Sequence, residues 1–210
     1  MKVKICGITN QEDAMMAAEY GADAIGFIFA PESPRFTPFE TVRKIVSTLP
    51  SFVTTVGVFT SGTEKDFRRA IEECGIGLIQ FHGPFSSETI QLFASRAIRV
   101  IRIRDAESLN EFSSDHARAV LLDTYHDQQL GGNGQTFDWA IAAKATRLGR
   151  IILAGGLTPE NVEAAIATVR PYGVDVSSGV EVRKGKKDPV KVKAFIQTAK
   201  QAGEVHATTE

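Results

Sequence analysis

Eight short apolar runs alternate with amphipathic segments along this chain, and that alternation limits the fold more than any other feature. The runs are Val3–Cys6, Ala24–Phe29, Val53–Phe59, Leu78–Phe81, Ile98–Ile103, Val120–Leu122, Ile151–Ala154 and Val174–Val176. Helical patterns separate them. One spans Glu12–Tyr20, with Asn10 as its cap and Gly21 as its stop; another follows Thr37, with Pro38 at its first position. Others are Glu64–Cys74, a segment opening after Ser86, and a stunted helix at Glu107–Phe112. After a long loop, Tyr125–Thr136, the residues Phe137-Asp138-Trp139 open a further helix, and Asp188-Pro189 begins a last one reaching about Ala202. Strands that alternate with helices imply a parallel sheet with crossover connections. Ala24–Phe29 is apolar throughout, as a strand covered on both faces is. Eight units predict an α/β fold, a single compact (β/α)8 TIM barrel. The open doubly wound sheet is the runner-up, but its glycine-rich loop usually follows the first strand, which here ends in Cys6-Gly7.

The chain has 210 residues. A barrel of this type typically takes about 250 residues, so one domain, 1–210, with short connecting loops is expected, fraying from about residue 203. The net charge of −1 gives no global field to recruit nucleic acid or a membrane surface. No apolar run approaches the roughly 20 residues of a membrane span, and the first residues, MKVKICGIT, lack a signal-peptide core. Cys6 and Cys74 share no metal-ligand spacing, which fits a reduced, cytoplasmic setting.

Barrel enzymes carry their chemistry at the C-terminal ends of the strands. Two consecutive strands end in Gly155-Gly156 and in Ser177-Ser178-Gly179, one helix apart. Either junction alone is read as a tight turn or a cap. Side by side they predict a cradle of backbone N–H groups for one phosphate. The other strand ends offer Cys6, His82 and Asp123, with Arg35 in the loop after the second strand. A lone Cys is most often a small buried hydrophobe, which is the reading for Cys74; a lone strand-end Asp is most often a cap. A thiol and a carboxyl in one pocket, however, suggest a general base, Cys6, and a general acid, Asp123. Their ordinary pKa values, about 8.5 and about 3.9, require tuning: a cation near Cys6 and desolvation of Asp123. Lys4 lies on the same strand face as Cys6, with Asp175 on the eighth strand as the group that would neutralise it. His82 is read as a structural or ligand-contacting group, and the run Arg183-Lys184-Gly185-Lys186-Lys187 as a solvated loop able to draw in an anion.

With these residues assembled, the chain resembles the phosphoribosylanthranilate isomerases of tryptophan biosynthesis. The resemblance rests on KICGIT at Lys4–Thr9, GFIFAPESPR at Gly26–Arg35, VGVF at Val56–Phe59 and QFHG at Gln80–Gly83. It continues through LLDT at Leu121–Thr124, GGNGQTFDW at Gly131–Trp139, LAGGLTPENV at Leu153–Val162 and DVSSGVE at Asp175–Glu181. It implies a (β/α)8 fold without metal or cofactor, acting on a small phosphoribosyl substrate as a monomer or homodimer. It also implies the Amadori rearrangement of an aminoaldose to an aminoketose. Cys6 falls on the family's base, Asp123 on its acid, Arg35 on the residue meeting the anthranilate part, and Gly155, Gly156, Ser177, Ser178 and Gly179 on its phosphate loops. The loop Leu130–Thr136 is expected to fold over the ligand. Two departures stand out: Phe81 where an aliphatic residue is common, and Val182-Arg183-Lys184-Gly185 where a Pro-Gly is expected. Alternatives are another phosphate-binding barrel, acting on a related aminoaldose such as the histidine-pathway intermediate, and a catalytically silent binding module.

Overall fold

In the computed structural model, residues 1–112, 117–124 and 138–207 are described. The eight apolar runs become β1 Lys2–Ile5, β2 Ala24–Ile28, β3 Thr54–Phe59, β4 Leu78–Phe81, β5 Ala97–Ile103, β6 Ala119–Thr124, β7 Ile151–Leu153 and β8 Gly173–Val176. They pair in parallel, in sequence order, into a closed barrel. Closure aligns Lys4 of β1 with Asp175 of β8. Successive side chains on a strand point to opposite faces, so each strand feeds two cores. Outward residues such as Ile25, Ile79, Phe81 and Val174 pack under the helices. Inward residues Val56, Ile98, Leu121 and Ala154 plug the barrel. Each Val, Ile, Leu or Phe among them, fully buried, contributes about 1.5–3 kcal/mol. Above this plug the inward positions turn polar: Lys4, Gln80, Asp123 and Asp175, all buried.

The helices are α1 Gln11–Glu19, α2 Phe39–Val46, α3 Glu64–Cys74, α4 Ser87–Leu92, α5 Trp139–Ala145, α6 Val162–Val169 and α7 Pro189–Ala207. Asn10 caps α1 by accepting the Asp13 amide, as the sequence implied. The stunted helix is a 3-10 turn, Ala106–Glu111. Phe81 is accommodated because it faces α3, where Phe67 meets it edge-on at 5.2 Å. Phe67 also meets Phe59, Phe85 and Phe93 edge-on.

Four expectations shift. Pro38 is the N-cap of α2, not its first residue. β6 runs on through Asp123 and Thr124, because Arg102 and Ile103 of β5 continue the ladder beside them. α7 passes the expected end at Ala202 and runs to Ala207, with Gly203 packed against Met1, where a side chain would not fit. The basic run is solvated only in part: Arg183 and Lys184 are exposed, but the segment forms a hairpin, β9 Glu181–Arg183 with β10 Lys186–Lys187, and Lys187 is buried. The hairpin is strapped to the start of α1. Asp13 accepts from Lys187 N at 2.9 Å and from Lys186 Nζ at 2.6 Å, and Thr9 Oγ1 donates to the Gly185 carbonyl at 2.6 Å. The loop Tyr125–Thr136 and Phe137 lie outside the described residues.

Candidate active site

The strands' C-terminal ends enclose a cavity of about 320 Å³. All nine residues selected from sequence line it: Cys6, Arg35, His82, Asp123, Gly155, Gly156, Ser177, Ser178 and Gly179. The plug residues Leu121 and Ala154 form part of its floor.

Asp123 is carried on β6 with one oxygen tied down: Oδ1 accepts from the Thr124 amide at 2.8 Å. Oδ2 faces His82 Nε2 at 3.4 Å, a contact near enough to touch but not aligned as a hydrogen bond. Burial raises the Asp123 pKa to about 6, with the charge of Asp175 adding to the rise. That desolvation is the condition a carboxyl must meet to carry a proton near neutral pH. His82 moves the other way, to about 3, because burial and then the Arg102 and Lys4 charges disfavour its cation. It is therefore a neutral imidazole, able to accept from a carboxylic acid or donate to a carboxylate.

Cys6 follows β1, and its thiol occupies space that Gly26 on β2 leaves open. A Cβ at Gly26 would lie 2.8 Å from Cys6 Sγ and 3.0 Å from Lys4 Cε. The cation that Cys6 needs is present: Lys4 is buried on the same inward face, with Nζ 2.9 Å from Asp175 Oδ2. Its charge is retained, held above the ordinary lysine value by Asp175 and the thiol despite burial. Burial nevertheless dominates at Cys6 and pushes the thiol above its ordinary value, Lys4 and Lys187 pulling it down and Asp175 pushing it up.

The two glycine- and serine-bearing junctions sit side by side, as read. Gly155 has φ +81°, and a Cβ there would collide with the Thr124 hydroxyl and amide. Gly179 lies against the Leu157 carbonyl, again without room for a side chain. The backbones after β7 and β8 thus touch each other, a proximity only glycine permits. Asn161 braces the first junction: its Nδ2 donates to the Gly156 carbonyl and its Oδ1 accepts from Thr158 N. The Ser177 hydroxyl is buried, lines the cavity and has no hydrogen-bond partner among the described residues.

Arg35 is not a solvated charge. It is 6% exposed and gripped by Glu181, Nε to Oε1 and Nη2 to Oε2, each at 2.8 Å. Lys187, fully buried, donates to the same carboxylate and to the Ser177 carbonyl, both at 3.0 Å.

Sequence reasoning missed four contributors. Gln80 lines the cavity and has a buried Oε1 without a partner among the described residues; its signal was a polar residue in the middle of an apolar strand. Gly26 gave no local signal. Lys187 was hidden in a run read as solvated, and Glu181 closed the DVSSGVE motif without being given a role.

Fold and pocket together define a (β/α)8 barrel of the enzyme type, with titratable groups gathered where the strands end. The family model for N-(5'phosphoribosyl)anthranilate (PRA) isomerase matches residues 3–198, and the chain belongs to that family. It is 46% identical over 201 residues to an N-(5'-phosphoribosyl)anthranilate isomerase of Pelobacter propionicus, covering 96% of each chain. Among solved structures, phosphoribosyl anthranilate isomerase from Thermotoga maritima superposes with a TM-score of 0.90 at 39% identity, covering 96% of this chain and 99% of that one. A phosphoribosyl anthranilate isomerase in complex with reduced 1-(o-carboxyphenylamino)-1-deoxyribulose 5-phosphate superposes with a TM-score of 0.87 at 38% identity, with the same coverage.

Proposed function

We infer that this chain isomerises N-(5'-phosphoribosyl)anthranilate to 1-(2-carboxyphenylamino)-1-deoxyribulose 5-phosphate in tryptophan biosynthesis, with Asp123 as general acid and Cys6 as general base. The observation that carries the residue roles is the pair itself: a carboxyl raised to about 6 and a buried thiol beside a lysine share one cavity.

In this reading the phosphate rests on the backbone of Gly155-Gly156 and Ser177-Ser178-Gly179, and the anthranilate part meets Arg35. Asp123 gives its proton to the furanose ring oxygen; the ring opens and the C1–N bond becomes a Schiff base. Cys6 then takes the C2 proton, and the electron pair moves toward the imine nitrogen, leaving an enolamine that tautomerises to the ketone. The imine serves as the electron sink. His82 steadies Asp123 in both protonation states because it stays neutral throughout.

Before ligand binds, the thiol titrates above the carboxyl. The productive form, thiolate with carboxylic acid, is therefore the minority form in the empty pocket. Lys4 is the residue that makes this form accessible. The same reading places the protein in the cytoplasm, as a monomer or homodimer, in keeping with two unpaired thiols.

The test is turnover of freshly generated phosphoribosylanthranilate, followed by loss of anthranilate-type fluorescence. Loss well above spontaneous breakdown is expected. No enzymatic loss would refute the substrate, and the histidine-pathway aminoaldose would be tried next.

A further inference from the structure

Arg35 reaches the cavity over Gly7, where a Cβ would lie 2.6 Å from Arg35 Cδ and 2.9 Å from Ser177 Oγ. Its guanidinium is then fixed from behind. Glu181 occupies Nε and Nη2, and among the described residues nothing holds Nη1. Oε1 of Glu181 also takes Lys187 Nζ, which in turn takes the carbonyl of Ser177, the first residue of the cradle after β8. The result is one continuous chain of charged and polar contacts, Arg35–Glu181–Lys187–Ser177, that runs behind the cavity wall and joins two residues that line it.

Its charge exceeds what the fold requires. Arg35 and Glu181 already form a closed, bidentate pair. Adding a fully buried ammonium leaves two cations on one anion, and burial pulls the Lys187 pKa down accordingly. Replacing such groups with apolar side chains often leaves a fold as stable or more so. Of these charges Arg35 lines the cavity, and Lys187 lies fully buried behind it.

We propose that Glu181 and Lys187 are positioning residues: they form a strut that sets the distance between Arg35 and the Ser177–Gly179 cradle, so that the pocket measures the span between the carboxylate and phosphate ends of its substrate. The proposal rests on the substrate reading above. The hairpin β9–β10, strapped to α1 through Asp13 and Lys186, keeps the strut from sliding.

The test is a double-mutant cycle between Glu181→Gln and Arg35→Met, read as KM and kcat on phosphoribosylanthranilate. If Glu181 acts through Arg35, Glu181→Gln raises KM about tenfold or more, leaves kcat within about threefold, and adds less than about twofold once Arg35 is already Met. Glu181→Asp keeps the charge but shortens the reach, and serves if the amide variant folds poorly; it should reproduce the KM rise. Anthranilate and inorganic phosphate, used separately as inhibitors, read the two ends. Glu181→Gln should weaken anthranilate and leave phosphate unchanged, whereas Lys187→Met should weaken phosphate as well. An equal loss in both Arg35 backgrounds, or an unchanged KM, overturns the strut. Wild-type protein that fails to turn over the substrate refutes the substrate reading instead, and the two inhibitors, as ligands, still report on the strut.

Discussion

Two aspartates at opposite ends of the barrel have opposite fates. Asp23, preceding β2 at the bottom, accepts from Lys2 Nζ, from Lys200 Nζ and from the Val3 amide. Those partners hold its carboxyl below the ordinary value although burial opposes them. Asp123, at the top of β6, has one backbone amide on Oδ1 and an unaligned imidazole near Oδ2, and burial lifts it to about 6. Asp23 lies between a bottom lysine on β1 and one on α7; Asp123 shares its surroundings with Gln80 Oε1, Asp175 Oδ1 and the Ser177 hydroxyl, all buried and, among the described residues, without hydrogen-bond partners. The bottom aspartate has its polar demand met within the fold; the top one sits among groups whose demand the described residues do not meet.

The sharpest way to break this contrast is to neutralise the two proposed catalytic groups. Asp123→Asn and Cys6→Ala should each lower kcat on the order of 10²–10⁴-fold, the usual worth of general acid–base catalysis, while still binding inorganic phosphate; turnover persisting in Cys6→Ala would remove Cys6 as the base. Next in size is Lys4→Met. It strips Cys6 of its nearest cation and leaves Asp175 a buried, uncompensated charge, so the thiol should titrate higher and the fold should lose about 3–5 kcal/mol. Alkylation rate against pH, in a Cys74→Ala background, reads the first effect and denaturant unfolding the second. An unchanged thiol titration would sink Lys4's role.

Stability should separate the two aspartates with opposite sign. Asp123 has a folded value raised above the unfolded 3.8, so its ionisation costs stability increasingly as pH rises from about 4 to 6 and levels off beyond. Asp123→Asn should therefore be more stable than wild type at pH 7 by on the order of 3 kcal/mol. Asp23 has a lowered value, so its contribution is present above the unfolded value and is lost as pH falls through the folded one. With screening at a partly exposed site, Asp23→Asn should cost only about 1 kcal/mol at pH 7. Urea midpoints across pH 3–8 check both; the same sign for both variants would erase the comparison.

Much of this was legible in the sequence because it is local or follows from closure. The eight strands show in their apolar runs, and the cradle shows in glycines that no other residue can replace. The Lys4–Asp175 pair spans almost the whole chain, yet a closed barrel must set its first strand beside its last, so inward positions of both are neighbours. What stayed hidden depends on pairings that no period encodes. The strands β9 and β10 are too short to show alternation, and a lysine in the run Lys184–Lys187 gives no sign that Lys187 alone is buried against Glu181 and Asp13's side of the hairpin. Gly26 is required by the bulk of Cys6 and Lys4 on the neighbouring strand, a contact visible only once register is fixed.

The most direct test is kcat/KM for phosphoribosylanthranilate between pH 5 and 9, wild type beside Asp123→Asn. The wild type should rise through about pH 6 to a plateau and, with the buried thiol held above its ordinary range, show no falling limb near neutral pH. Asp123→Asn should lose the limb near 6 together with most of the activity. A variant that keeps both the activity and the limb would show that another group titrates there, and that Asp123 is not the acid.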